Sequence, residues 1–287
     1  MFDGFTYSTL TVGDTTIRVC RGGSGPPLLL MHGHPQTHVM WHAIADRLAQ
    51  NFTVVATDLR GYGDSGKPIA PSDVARFSKR VMAADNIEVM RQLGYERFYV
   101  AGHDRGGRVA YRMALDHPER VIALAVMDII PTADVWLLAN RDFALGYWHW
   151  GFLAQPYDIP ESLLAHEPEG VLNRFSPKTF APEALAEYRR CLRIPGTLHA
   201  ICQDYRAGAT IDYDIDMEDR GKRRITMPLL VLWGSRAQVG KWYDVLDVWR
   251  PWADDLRGHA IDAGHFLPEE NPDATYAALH AFFTETR

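Results

Sequence analysis

Residues 98–117 read FYVAGHDRGGRVAYRMALDH, an apolar run that enters a glycine-spaced turn and leaves it as a helical pattern stopped by Pro118. A turn this sharp brings backbone segments close together, which explains the small residues at Gly102, Gly106 and Gly107. The form is G-x-Nu-x-G, with Asp104 at its centre. Such a turn pushes the central side chain into a cleft at the carboxyl end of a strand. It also aims the N–H of the next residue, Arg105, at developing negative charge. Asp104 therefore reads as a nucleophile. The competing reading is an aspartate that caps the helix starting near Arg105.

The rest of the chain supplies the sheet that such a turn needs. FTYSTLTV and TTIRVC flank a Gly-Asp pair and predict an opening hairpin. LLLMHG, FTVVATD, RFYVAGHD, VIALAVMD and TMPLLVLWG are short, continuous apolar runs of the kind buried parallel strands show. Helical patterns separate the earlier ones: HVMWHAIADRLAQ, residues 76–93, and the helix after Asp104. Helical WYDVLDVW, a strand near HAIDAG and a helix after NPDATY close the chain. This alternation predicts an α/β fold, a mostly parallel central sheet with helices on both faces. Residues 132–220 break it, being rich in Trp, Tyr and charge without a buried strand. The expected organisation is a core of residues 1–131 and 221–287 with a helical cap, 132–220, inserted.

Composition narrows the function classes. At 47% hydrophobic residues the chain can bury a substantial core, and a net charge of −6 argues against a nucleic-acid surface. Three scattered cysteines, Cys20, Cys191 and Cys202, predict reduced thiols rather than a disulfide framework. The opening MFDGFTYSTL has no basic patch followed by an apolar run, and no uncharged stretch approaches membrane-spanning length. A cytoplasmic protein with no membrane partner is expected.

An aspartate nucleophile forms a carboxylate ester that water must then cleave, which requires a base. His265, in DAGHFLPEE after the last strand pattern, is the candidate. The base needs an orienting acid. SRAQVGK after the LLVLWG strand has no carboxylate, whereas Asp128 closes the preceding strand in AVMDIIP, a costly place unless it is partnered. A helix or turn cap is the other reading of Asp128. In MHGHPQ, Gly33 lets the backbone N–H of His34 face an oxyanion opposite the N–H of Arg105. His38 and His42 share a helical face, but no nearby carboxylate completes a ligand set, so no metal is expected. GYGDSG matches a dinucleotide fingerprint only weakly, because Lys67 and Pro68 break the helix that should follow. No cofactor is expected.

HGHPQ, DLRGYGDSGKP, GHDRGGRVAYRMALDHPERV and GHFLPEENP resemble the haloalkane dehalogenase and epoxide hydrolase branch of the α/β-hydrolase superfamily. HPQTHVMWH, HDRGGR, MDIIPT, YWHWGFLAQP, CQDYRAGA and GHFLPEE are similar, more narrowly, to the fluoroacetate (haloacetate) dehalogenases. The resemblance implies an α/β-hydrolase fold with Asp104 as nucleophile, Asp128 as acid and His265 as base. It implies that Arg105 and Arg108 hold a substrate carboxylate and that His149, Trp150 and Tyr205 form a halide pocket. On the residues alone, His149, Trp150 and Tyr205 read as aromatic packing of the cap on the core. The chain departs from the family's pattern at His34, where phenylalanine is usual. It also departs in a shorter cap between Pro168 and Tyr188 that lacks a tryptophan.

The activity so implied is hydrolytic dehalogenation of a short 2-haloacid, with the haloacid and water as the only partners; the resemblance is compatible with a homodimer. An epoxide hydrolase using the same aspartate and a cap tyrosine (Tyr147, Tyr157, Tyr188 or Tyr205) is the nearest alternative. A silent small-acid receptor is a more distant one.

Overall fold

The structure is a computed structural model that describes residues 1–286 other than 71, 174 and 177; the last two of these lie inside the expected cap. Eight strands form one sheet: β1 (Thr6–Val12), β2 (Thr15–Gly22), β3 (Pro27–Met31), β4 (Thr53–Thr57), β5 (Phe98–His103), β6 (Val121–Met127), β7 (Leu229–Gly234) and β8 (Leu256–Ile261). Their order is β1-β2-β4-β3-β5-β6-β7-β8. The opening hairpin is antiparallel, β2 meets β4 antiparallel, and every later neighbour is parallel. Every residue of β4 and β5 is buried, which is why these strands are apolar without alternation. The edge strand β1 is largely exposed and correspondingly rich in threonine and serine.

Between β6 and β7 the described residues hold helices and no strand, from Thr132–Leu137 through Trp148–Leu153 and Thr197–Ala209 to Ile211–Asp219. Two buried carboxylates from this segment fasten it to the core. Asp204 accepts from the Tyr62 hydroxyl at 2.7 Å and pairs with Lys79. Asp216 accepts from the Tyr111 hydroxyl at 2.6 Å. Among the described residues, no helix is long and apolar enough to cross a membrane.

Two expected helices are each broken in two. Residues 38–49 hold a short 3-10 turn, His38–Trp41, and one α-turn, Ala45–Leu48. Asp58 accepts from both the backbone N–H and the ring Nδ1–H of His38 at 2.8 Å and anchors the start of the 3-10 turn. The 242–249 pattern divides at Tyr243, because Asp244 accepts from the N–H of Asp247 and starts a new helix, Val245–Trp249.

Candidate active site

Asp104 adopts φ 45° and ψ −115°, a conformation an ordinary side chain avoids. The glycines make it possible. A Cβ at Gly102 would lie 2.4 Å from the Gly106 carbonyl, and one at Gly106 would lie 2.4 Å from the carbonyls of Met31 and His32. The strained residue does not cap its helix through its side chain. The N–H of His34 instead donates to Asp104 Oδ2 at 3.0 Å. The capping reading is therefore excluded, and the loop after β3 holds the carboxylate.

Gly33 permits that approach, since a Cβ there would come within 2.5 Å of the Asp104 Cβ. Gly33→Ala should cost about 1–3 kcal/mol of stability through overpacking and should push the carboxylate off the His34 N–H. Thermal unfolding and steady-state turnover check this. Wild-type values for both would mean that the loop yields freely.

His265 and Asp128 meet at the carboxyl end of the sheet. The His265 Nδ1–H donates to Asp128 Oδ2 at 2.5 Å, and the N–H of Gly234, at the end of β7, donates to Oδ1 at 3.0 Å. Asp128 is buried and also sits at positive φ, 52°. Both its oxygens are thus engaged outside the following helix, which rules out a cap. Burial favours neutral His265, yet the bond to Asp128 and the charges of Asp128, Asp104 and Glu270 outweigh it, so its pKa is raised. Burial opposes ionisation of Asp104 as well. His265, Arg105, His103 and Arg108 reverse that and hold its carboxyl well below the usual carboxylate range.

A cavity of about 210 Å³ opens over these groups. His34, Asp104, Arg108, Asp128, His149, Trp150, Tyr205 and His265 all line it. Tyr205 packs its ring 5.8 Å from His149, 6.0 Å from Trp150 and 5.6 Å from His34, centroid to centroid. Trp150 also contacts Trp136 and Phe143, so it packs the helical segment and faces the cavity at once.

Arg105 does not line the cavity. Its Nε and Nη2 donate to the two Asp204 oxygens at 2.8 Å, and its guanidinium lies 4.2 Å from the Tyr205 ring centroid. Arg108 donates through Nη1 to Ile130 O at 3.0 Å and Thr132 Oγ1 at 3.1 Å, with its guanidinium 4.6 Å over Trp150. Two buried donors of this pair, Arg105 Nη1 and Arg108 Nε, find no hydrogen-bond partner among the described residues.

The four tyrosines separate. Tyr147 and Tyr205 line the cavity, Tyr157 is on the surface, and Tyr188 donates to Glu269 at 3.1 Å. Burial and then the nearby carboxylates, Asp128 and Asp104 for Tyr147 and Asp104 for Tyr205, raise both cavity phenols and keep them protonated. His38 is committed to Asp58, and His42 lies 3.7 Å from Glu269. Among the described residues, no three His, Cys, Asp or Glu side chains converge as a ligand set.

Sequence reasoning missed Asp204 and Glu270. Both lie inside the family-like stretches CQDYRAGA and GHFLPEE, but neither stands at a strand end, the position that marked Asp104 and Asp128.

Residues 26–272 match the family model of the α/β-hydrolase fold. The chain belongs to that family. It is 45% identical, over all of its length and 96% of the relative's, to a fluoroacetate dehalogenase of Burkholderia sp.. It is 35% identical to a soluble epoxide hydrolase of Corynebacterium sp. strain C12, over 98% of both chains. A crystal structure of an α/β hydrolase from Nostoc sp. PCC 7120 superposes with a TM-score of 0.96 at 51% identity, covering 99% of each chain. The protein is thus an α/β-family hydrolase, and the similarity to the fluoroacetate dehalogenases read from its motifs extends over the whole chain.

Proposed function

We propose that the chain hydrolyses short 2-haloacids to 2-hydroxyacids and halide. The observation that carries this reading is the buried guanidinium of Arg108, which lines the same cavity as Asp104. A cation in a cavity wall favours an anionic guest, and a substrate carboxylate would pair with it. A neutral epoxide would offer that charge no counter-ion. The similarity to the fluoroacetate dehalogenase supports the same choice.

In this mechanism the substrate carboxylate lies against Arg108 on the cavity wall, and the charge of Arg105, 4.2 Å from the Tyr205 ring centroid, adds to the positive field behind it. Because the His34 N–H engages Asp104 Oδ2, Oδ1 is the oxygen that attacks the α-carbon. The carbon–halogen bond breaks in line, and the halide leaves with the bonding pair among His149, Trp150 and Tyr205. Donors there replace the water that would otherwise solvate it.

The resulting ester has lost the Asp104 charge. That removes one of the influences that raise His265, so the imidazole becomes a readier neutral base when water must be activated. His265 takes a proton from water, and the hydroxide attacks the Asp104 carbonyl carbon. The N–H groups of His34 and Arg105 stabilise the oxyanion. Collapse expels the alkoxide, which takes the proton from His265 and leaves as the 2-hydroxyacid; Asp104, left protonated, gives the second proton of the water to solvent and returns to its carboxylate. No cofactor or metal is needed, and the reaction fits a cytoplasmic enzyme with residues 132–220 as its cap.

Halide release from fluoroacetate and chloroacetate, beside a small panel of epoxides, tests the assignment. A single turnover in ¹⁸O-water should place the label in Asp104 rather than in the product. Activity with unlabelled Asp104 would sink the mechanism, and epoxide opening without halide release would replace the substrate class.

A further inference from the structure

The base is carried on a loop, yet its backbone is held on three sides. Glu270 Oε2 accepts from the N–H of Gly264 at 2.8 Å, and Oε1 accepts from the N–H of Phe266 at 3.0 Å. One carboxylate thereby grips the peptide groups on either side of His265. On the opposite side the His103 Nε2–H donates to the His265 carbonyl at 2.7 Å. Burial and then the neighbouring His265 push His103 down to about 3, so it stays a neutral donor. Gly264 is the residue this grip requires, since a Cβ there would lie 2.7 Å from both Glu270 oxygens.

We infer that Glu270 is a positioning residue for the base: its carboxylate clamps the loop so that His265 is held against Asp128 and over the Asp104 ester. A side chain on a loop loses rate steeply when it wanders, with about 100-fold for a misplacement near 1 Å. A clamp formed by a charged acceptor on two N–H groups is stiffer than one neutral bond. Glu270 also contributes negative charge near the imidazole. The groups facing His265 are Asp128 after β6, Asp104 and His103 at the elbow, and Glu270 on its own side.

The inference rests on the proposed two-step reaction, in which His265 serves only the second step. Two variants separate shape from charge. Glu270→Gln keeps the size but loses the charge and one acceptor, whereas Gly264→Ala keeps the charge and displaces the carboxylate. Rapid-quench halide release from chloroacetate reads both steps. The first-turnover burst should stay within about twofold of wild type, while the steady-state rate falls about 10- to 100-fold and ester accumulates on Asp104. An NMR titration of His265 in the free protein, assigned with His265→Asn, should show a lower midpoint in Glu270→Gln.

Equal loss of burst and steady state in both variants would mean a merely structural role and would overturn the inference, as would wild-type values throughout. If the wild type releases no halide, the reaction has failed and the titration decides for Glu270. An unchanged His265 midpoint would then reject it.

Discussion

His265→Asn should arrest the enzyme after one halide per active site. Asparagine has the size to fill much of the imidazole's place but cannot take a proton from water. Asp104 would still displace halide, because that step needs no base, and the ester would remain. Loss of a catalytic base of this kind lowers steady-state turnover by about 10⁴- to 10⁶-fold. Intact-protein mass spectrometry should show the variant heavier by the substrate's carboxyalkyl group, mapped to the peptide containing Asp104. Multiple turnovers at a substantial rate would remove His265 from the mechanism. Release of no halide at all would instead make His265 necessary for alkylation. The wild-type pH profile follows from the same residue. In the proposed mechanism it acts as the neutral base of the ester, where the Asp104 charge that helps raise its pKa is gone, so steady-state turnover should climb with pH through a midpoint below the one His265 shows in the free protein. A turnover midpoint above the free-protein value would argue against this assignment.

What could be read ahead of the structure was whatever local chemistry announces. The glycine spacing around Asp104, the carboxylate closing the β6 run and the histidine after the last strand are each legible within ten residues. The geometry brings them together because parallel strands end on the same side of the sheet. What could not be read was how side chains distant in sequence pair. Asp204 and Arg105 are 99 positions apart, so nothing in either segment says that they will engage. That pairing turned Arg105 out of the cavity wall and left Arg108 as the arginine that lines it. The helix at 242–249 was divided for a similar reason: Asp244 draws a backbone N–H into a side-chain bond that apolar periodicity does not register.

Asp204 carries the largest expected effect on stability. Its carboxylate is fully buried and receives Arg105, Lys79 and the Tyr62 hydroxyl at once. Asp204→Ala would leave Lys79 with Asp212 at 3.1 Å, and Arg105 with only the backbone carbonyl of residue 204. A buried guanidinium stripped of its carboxylate costs about 3–5 kcal/mol, so the variant should unfold at markedly lower urea concentration at pH 7. The pH dependence has a defined sign. Burial disfavours the Asp204 charge, but Arg105 and Lys79 outweigh it and hold the folded-state pKa well below the unfolded value near 3.9. The stabilisation is therefore complete above that value and is lost as pH falls below it towards the folded pKa. The gap between wild type and variant should be widest near neutrality and should shrink as the pH drops below about 4. Because Asp204 also aims Arg105, the variant that remains folded should show a raised KM for haloacids before any loss in kcat. A variant as stable as wild type would mean that the two cations find other partners, and the helical segment would then owe its attachment to Asp216 and apolar packing instead.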